Sequence, residues 1–184
     1  TVFRWQNPRP AAMPLTWRDD PGLSSAGTIA DVGSHAYDVV RWIIGAEAAS
    51  VLAHGETLTP SKADLGAINL EEALEWRAGE TSEGGNTRKG GTVDYASLSC
   101  RYSNGAVGSY LLSHATFLRK HLAPELELHG TSASLSVDRW SGEVVMVSPD
   151  QERRIVKKAP DEGFGNRFDT VSYTHLRAHE TESN

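Results

Sequence analysis

The chain has 184 residues, 39% hydrophobic, 8% aromatic and 23% charged, and its 18 Lys+Arg against 24 Asp+Glu give a formal net charge of −6. That length suits one domain or slightly more, the composition is globular rather than disordered, and the acidic balance gives no electrostatic footprint for nucleic acid or anionic lipid. The best apolar run, Val39 to Ile44, is broken by Arg41 and falls far short of a membrane span, and the single cysteine, Cys100, leaves no internal disulfide framework or Cys-based zinc cluster.

Thr1 to Trp5 alternates as a strand already under way, and no Met or basic leader precedes it. The expectation is the downstream part of a longer protein in a cytoplasmic setting. Pro8, Pro10 and Pro14 make Gln6 to Pro14 an irregular connection. Trp17 to Gly22 reads as a turn and Ser24 to Gly27 as a small-residue loop. Ala36, Val39, Val40 and Ile43 then fall at i, i+3, i+4 and i+7, the apolar stripe of an amphipathic helix. Gly33 or Ser34 starts that helix and Gly45 follows its end. Asp38 and Arg41 are spaced to pair on its outer face.

Ala49 to Gly55 reads as a strand. Thr57 to Gly91 is long and polar, Gly-rich near Glu83 to Asn86, with one short helix over Leu70 to Trp76. A connection of that length points to an interface or a lid. Successive strands follow over Thr92 to Tyr102, Ala106 to His114, Glu125 to His129, Ala133 to Asp138, Glu143 to Ser148 and Arg153 to Lys157, with Ser103-Asn104-Gly105 as a hairpin turn. The pattern predicts an α+β fold: one main helix on a large open sheet, mixed or antiparallel, of about six strands. From Ser172 no apolar period remains, so 1–171 reads as the domain and 172–184 as a non-native or disordered tail, with His175 and His179 set aside.

The densest group of chemically special residues is Gly27-Thr28-Ile29-Ala30-Asp31-Val32-Gly33-Ser34-His35-Ala36-Tyr37-Asp38. Asp31 and His35, four apart at a loop-to-helix junction, can share one helix mouth. A helix N-terminus disfavours imidazolium while a carboxylate favours it, and opposed effects of that kind hold an imidazole near neutral pH for proton transfer. The bland account keeps Asp31 as a helix cap and His35 as a satisfied surface or core residue. A metal site from Asp31, His35 and Asp38 is a third possibility, unsupported by any second cluster of ligand spacing. Trp17 and Arg18 are spaced to line a polyol pocket, or else are a packed Trp and a solvated Arg. His54, His114, His121 and His129 lie in or beside strands and read as structural, and Cys100 as a core residue. No G-x-G-x-x-G, phosphate loop or G-x-S-x-G elbow occurs.

The run from Gly27 to Gly45 resembles the G-x-[IL]-x-D-x-G-x-H-x-x-D-x-x-x-[WF]-x-x-G signature of the C-terminal domain of Gfo/Idh/MocA oxidoreductases. Thr92 to Ala96 with Asn104-Gly105-Ala106 is similar to that family's acidic strand and hairpin. Gly130-Thr131 with Ser134-Leu135 resembles its later hairpin, with Ala133 where a second Gly is usual. Trp17-Arg18 matches the family's W-R, and the likeness runs over roughly Thr1 to Phe168.

The resemblance implies a substrate half whose parent moves a hydride between NAD or NADP and a sugar or polyol hydroxyl. The cofactor is then bound mainly by a Rossmann domain whose E-K-P and Gly-rich text is missing here. It implies His35 and Asp31 as catalytic residues, Arg18 and Trp17 on the substrate, no metal, and a homo-oligomer through the sheet face. A rival function is a non-catalytic oligomerisation or binding module on the same scaffold; another is a metal-dependent hydrolase or isomerase.

Overall fold

The computed structural model describes residues 1–66, 68–76 and 86–158. The expected tail from Ser172, the domain end at 171 and most of the Gly-rich stretch near Glu83 lie outside them. The chain forms two compact units, one from Thr1 to Leu122 and the other from Ala123 onward.

In the first unit the strands are β1 (Val2–Gln6), β2 (Ala48–Glu56), the short β3 (Lys62–Ala63) and β4 (Thr87–Arg88), β5 (Tyr95–Tyr102) and β6 (Val107–Ser113). The helices are α1 (Ser34–Ile44) and α2 (Leu70–Glu75). The main sheet runs β1-β6-β5-β2, and β3 pairs β4 in a separate ribbon. β5 pairs antiparallel with β6 and with β2. β1 lies parallel to β6, with Gln6 opposite Ser113. The β5–β6 turn is the predicted one, with Gly105 at φ 87. Strand alternation sends Phe3, Ala96, Cys100, Tyr102, Tyr110 and Leu112 to one buried face. Tyr102 and Tyr110 join their hydroxyls inside it. Ser97, Ser99 and Ser109 go to the other face, with the exposed Leu52.

Helix α1 covers the buried face. A carbon at Gly33 would touch Leu112, so the helix start sits directly on β6. Asn104 in the hairpin donates to the Ile44 carbonyl at 3.1 Å, and Gly45 closes the helix in the left-handed conformation, φ 65. The predicted stripe is only half buried. Ala36 and Val40 are 1% and 0% exposed, whereas Val39 and Ile43 are 43% and 39% exposed. The covered rail is Val32, Ala36, Val40, a run of i, i+4 steps, and Trp42 stands out beside the exposed pair. Arg41 pairs with Asp38 at 2.6 Å, as its spacing predicts.

Helical backbone begins before α1. Ile29–Gly33 is a π-helical turn, and Thr28 ahead of it is already at φ −62, ψ −25. Such turns are uncommon and concentrate at functional sites. Gly27 opens this segment at φ 48, with its α-carbon against the Val93 carbonyl.

The second unit is an antiparallel meander of β7 (Leu126–His129), β8 (Ser134–Asp138), β9 (Glu143–Val147) and β10 (Arg153–Lys158). Among its described residues, Leu126 and Val145 are the buried apolar side chains.

Gly27 and Gly45 separate two costs. A side chain at Gly45 meets open space and pays only for left-handed backbone, about 1 kcal/mol. At Gly27 a β-carbon would also overlap the Val93 backbone. Urea unfolding should therefore show Gly27→Ala destabilised by roughly 2–4 kcal/mol, well beyond Gly45→Ala. Equal losses would mean that the Gly27–Val93 approach is relaxed in solution.

Candidate functional site

The site lies at one end of the first unit's sheet, and strand direction explains why. β1 and β6 run parallel, so their C-terminal ends emerge together. Asn7 N donates to Ser113 O at 2.8 Å and Arg9 N to His114 O at 3.2 Å. β5 runs the other way and begins at the same end, where His114 N donates to Asp94 O at 2.8 Å. β2 ends there too, and Asp94 N donates to Glu56 O at 3.1 Å. The π-helical segment is laid across this edge by Thr28 N donating to Val93 O at 2.8 Å. A 3₁₀ turn, Trp17–Asp19, completes the rim; Thr16 Oγ1 accepts from Arg18 N at 3.3 Å, and the Asp19 carboxylate accepts from Thr16 N at 2.8 Å.

A small pocket is lined by Arg9, Arg18, Asp19, Thr28, Asp31, Asp94 and His114. Its three carboxylates differ in what already holds them. Asp19 accepts from Thr16 and faces Arg9 at 3.4 Å. Asp94 accepts from Leu58 N at 2.7 Å and Thr59 N at 2.9 Å, which fixes the loop after β2. Asp31 has only longer contacts among the described residues: Oδ1 is 3.5 Å from Arg18 Nη2 and Oδ2 is 3.7 Å from His114 Nε2. Its side chain is 31% exposed, so Asp31 is the carboxylate free to receive a ligand.

His114 is 6% exposed. Burial, then the Arg9 charge, push its pKa down to about 4 against the opposing pull of Asp31. Arg9 is itself lowered by burial, with Asp19 acting against that. Two buried polar atoms of residues at this pocket, Thr28 Oγ1 and Arg18 Nε, have no hydrogen-bond partner among the described residues. Leaving such atoms unpaired costs about 1–3 kcal/mol each.

The sequence candidates separate here. Asp31 and Arg18 meet in the pocket. Trp17 stacks under the Arg18 guanidinium, 4.9 Å from ring to Cζ, and is 38% exposed. His35 stands exposed on the first turn of α1, outside the pocket lining, with no hydrogen bond or ion pair to a described residue. Asp38 points to Arg41 instead of toward Asp31. Among the described residues no group of three His, Cys, Asp or Glu is placed to hold a metal ion.

Arg9 and His114, which sequence reasoning left out of the site, are central to it. Neither carries a local signal: Arg9 lies in the proline-rich connection and His114 ends a strand. Only the parallel pairing of β1 with β6 brings them together. His54 and His129 lie elsewhere, facing Glu56 and Glu127 at 3.7 and 3.2 Å. Cys100 is buried in the sheet core, which raises its thiol pKa.

The model of the GFO/IDH/MocA C-terminal domain matches residues 1–136. Levoglucosan dehydrogenase of Pseudarthrobacter phenanthrenivorans is 28% identical over 144 residues, covering 77% of this chain and 35% of that protein. The chain thus spans about a third of that relative. Among solved structures, an oxidoreductase domain protein from Kribbella flavida superposes with a TM-score of 0.61 at 20% identity, over 84% of this chain and 40% of that one. Levoglucosan dehydrogenase in complex with NADH and L-sorbose gives 0.63 at 22% identity, over 86% and 40%.

Neutral burial of His114 has a measurable consequence. The unfolded imidazole titrates near 6.5 and the folded one near 4, so between those values the unfolded chain binds a proton that the fold excludes. Stability therefore falls as pH drops from about 6.5 to about 4, by on the order of 3 kcal/mol if that shift is fully expressed. Carboxylates held below their ordinary range, such as Asp64 beside Arg88, lose their contribution at lower pH. Urea midpoints should decline over that window in the wild type and decline much less in His114→Gln. Parallel curves would place the linkage elsewhere.

Proposed function

This chain belongs to the GFO/IDH/MocA family, and from that premise we propose that it is the substrate side of an NAD(P)-linked oxidoreductase acting on a sugar or polyol hydroxyl. The observation that carries the reading is the pocket itself. A solvent-open carboxylate, Asp31, is set between Arg18 and His114 beside two unpaired buried polar atoms. A polyhydroxylated ligand offers both donors and acceptors, which suits the acceptor Asp31 beside the donor Arg18. Levoglucosan dehydrogenase has been solved with levoglucosan and with L-sorbose, sugars of that character.

The described residues do not fit a dinucleotide. The parallel pair β1 and β6 is not joined by a glycine-rich turn opening a helix. What this chain contributes is on the substrate. Asp31 accepts a hydrogen bond from a ligand hydroxyl and orients it. Arg18, stacked on Trp17, donates to a neighbouring oxygen. His35, at the exposed start of α1, exchanges the proton of the reacting hydroxyl with solvent. The rival reading, a non-catalytic oligomerisation module on the same scaffold, has no need of both Asp31 and His35.

We also propose that copies of the protein associate through the open face of this sheet. Leu52, 77% exposed, and Leu111 line a broad groove there with Arg4, His54 and Ser97. Leu52→Glu should shift the sedimentation of the protein to a smaller species while leaving its circular dichroism intact. An unchanged sedimentation coefficient would count against this face.

In the full-length enzyme, Asp31→Asn and His35→Asn should each lower kcat by about 10²–10⁴-fold. If the two act as one proton-handling unit, the double variant should cost little more than the worse single one. NADH affinity should remain near wild type. A folded Asp31→Asn enzyme with full turnover would return Asp31 to a structural role.

A further inference from the structure

We propose that His114 is a positioning residue for Asp31, with Arg9 fixing the imidazole tautomer so that Nε2–H is aimed at the Asp31 carboxylate. The inference rests on the reading of Asp31 as the substrate-facing carboxylate, and extends it to two residues behind it.

The argument begins with donor and acceptor chemistry. A guanidinium carries five N–H donors and no acceptor. Arg9 Nη2 lies 3.4 Å from His114 Nδ1. That contact is favourable only if Nδ1 offers its lone pair. A neutral imidazole has one N–H, so the proton must then sit on Nε2. Nε2 is the nitrogen that faces Asp31 Oδ2, at 3.7 Å. The contact is longer than a hydrogen bond and acts as a dipole directed at a charge.

Arg9 is not free to choose another pose. Its Nη1 lies 3.4 Å from Asp19 Oδ1, and its main-chain N–H is bonded to the His114 carbonyl. Asp19 is in turn locked by Thr16, which is 2% exposed. The chain of constraint therefore runs from the capping box of the 3₁₀ turn through Arg9 to His114 and then to Asp31.

The charged groups that line the two small pockets around this imidazole come from every neighbouring element: Arg9 beyond β1, Arg18 and Asp19 in the 3₁₀ turn, Asp31 in the π turn, Lys62 in β3 and Asp94 before β5. Burial and the cations oppose a second proton on the ring, while the carboxylates favour it; burial is the largest influence. The ring therefore stays neutral across the range in which a dehydrogenase works, and its tautomer remains fixed. Asp31 is thereby held from two sides, Oδ1 by Arg18 and Oδ2 by His114. Each oxygen keeps a lone pair for a ligand hydroxyl.

The test uses isotope-labelled 184-residue chain and long-range ¹H–¹⁵N correlation at pH 7 and about pH 5.5. The expected result is an unprotonated Nδ1 and a protonated Nε2 in His114 at both values. The Asp31 ¹³Cγ resonance is then followed at pH 7 in two variants. His114→Gln keeps an acceptor for Arg9 and a donor for Asp31; His114→Leu keeps neither. The resonance should shift in the Leu variant and return toward wild type in the Gln variant. A proton on Nδ1, an imidazolium at about pH 5.5, or an unmoved Asp31 resonance in a folded Leu variant would overturn the proposal. If the Leu variant does not fold, the wild-type tautomer and the Gln variant decide it. None of these signals depends on turnover, so failure here is distinct from failure of the functional reading, which the Asp31→Asn kinetics decide.

Discussion

Arg9 can donate hydrogen bonds but cannot accept one, and the chemistry of the pocket follows from where that guanidinium is buried. It sits between Asp19 and His114, and satisfies both. The pocket and its neighbour gather Arg9, Arg18 and Lys62 with Asp19, Asp31 and Asp94. Charges taken from water at this density are tolerable only when each is paired or bonded. Asp19 and Asp94 meet that demand with short backbone bonds, and so serve the loops. Asp31 meets it only through longer contacts, and is left available.

The backbone supplies the geometry. Parallel β1 and β6 deliver Arg9 and His114 to one edge, antiparallel β5 starts there with Asp94, and the π turn lays Asp31 over them. Gly27 allows that approach because its α-carbon lies against the Val93 backbone, where no side chain fits. The same crossing seats Gly33 on Leu112, so core packing under the helix and the height of Asp31 above the sheet are set together. A change in the core there is felt at the site without touching a ligand.

Much of the fold was legible locally. The periodicity of Ala36 and Val40, the left-handed stop at Gly45 and the Asn104-Gly105 turn each act over a few residues, and helix and hairpin appear where they point. Asp31 and Arg18 were legible as candidates because the helix-start motif and the Trp-Arg pair are contiguous text. Arg9 and His114 were not, since 105 residues separate them and nothing in either neighbourhood encodes a parallel pairing. The width of the apolar stripe also misled. Val39 and Ile43 follow helical spacing, yet the sheet covers only the rail of Val32, Ala36 and Val40. Spacing fixes which residues share a face, but the partner surface determines how much of it is covered.

The central claim is that Asp31 is a ligand-facing carboxylate steadied from behind by Arg18 and His114. A crystal structure of the full-length protein with a bound sugar or polyol tests it most directly. The account predicts a ligand hydroxyl within hydrogen-bond distance of Asp31, with Arg18 and His114 still on the carboxylate's other sides and His35 at the reacting oxygen. A ligand seated away from this sheet edge, or Asp31 turned from the ligand to close on His114 alone, would contradict it.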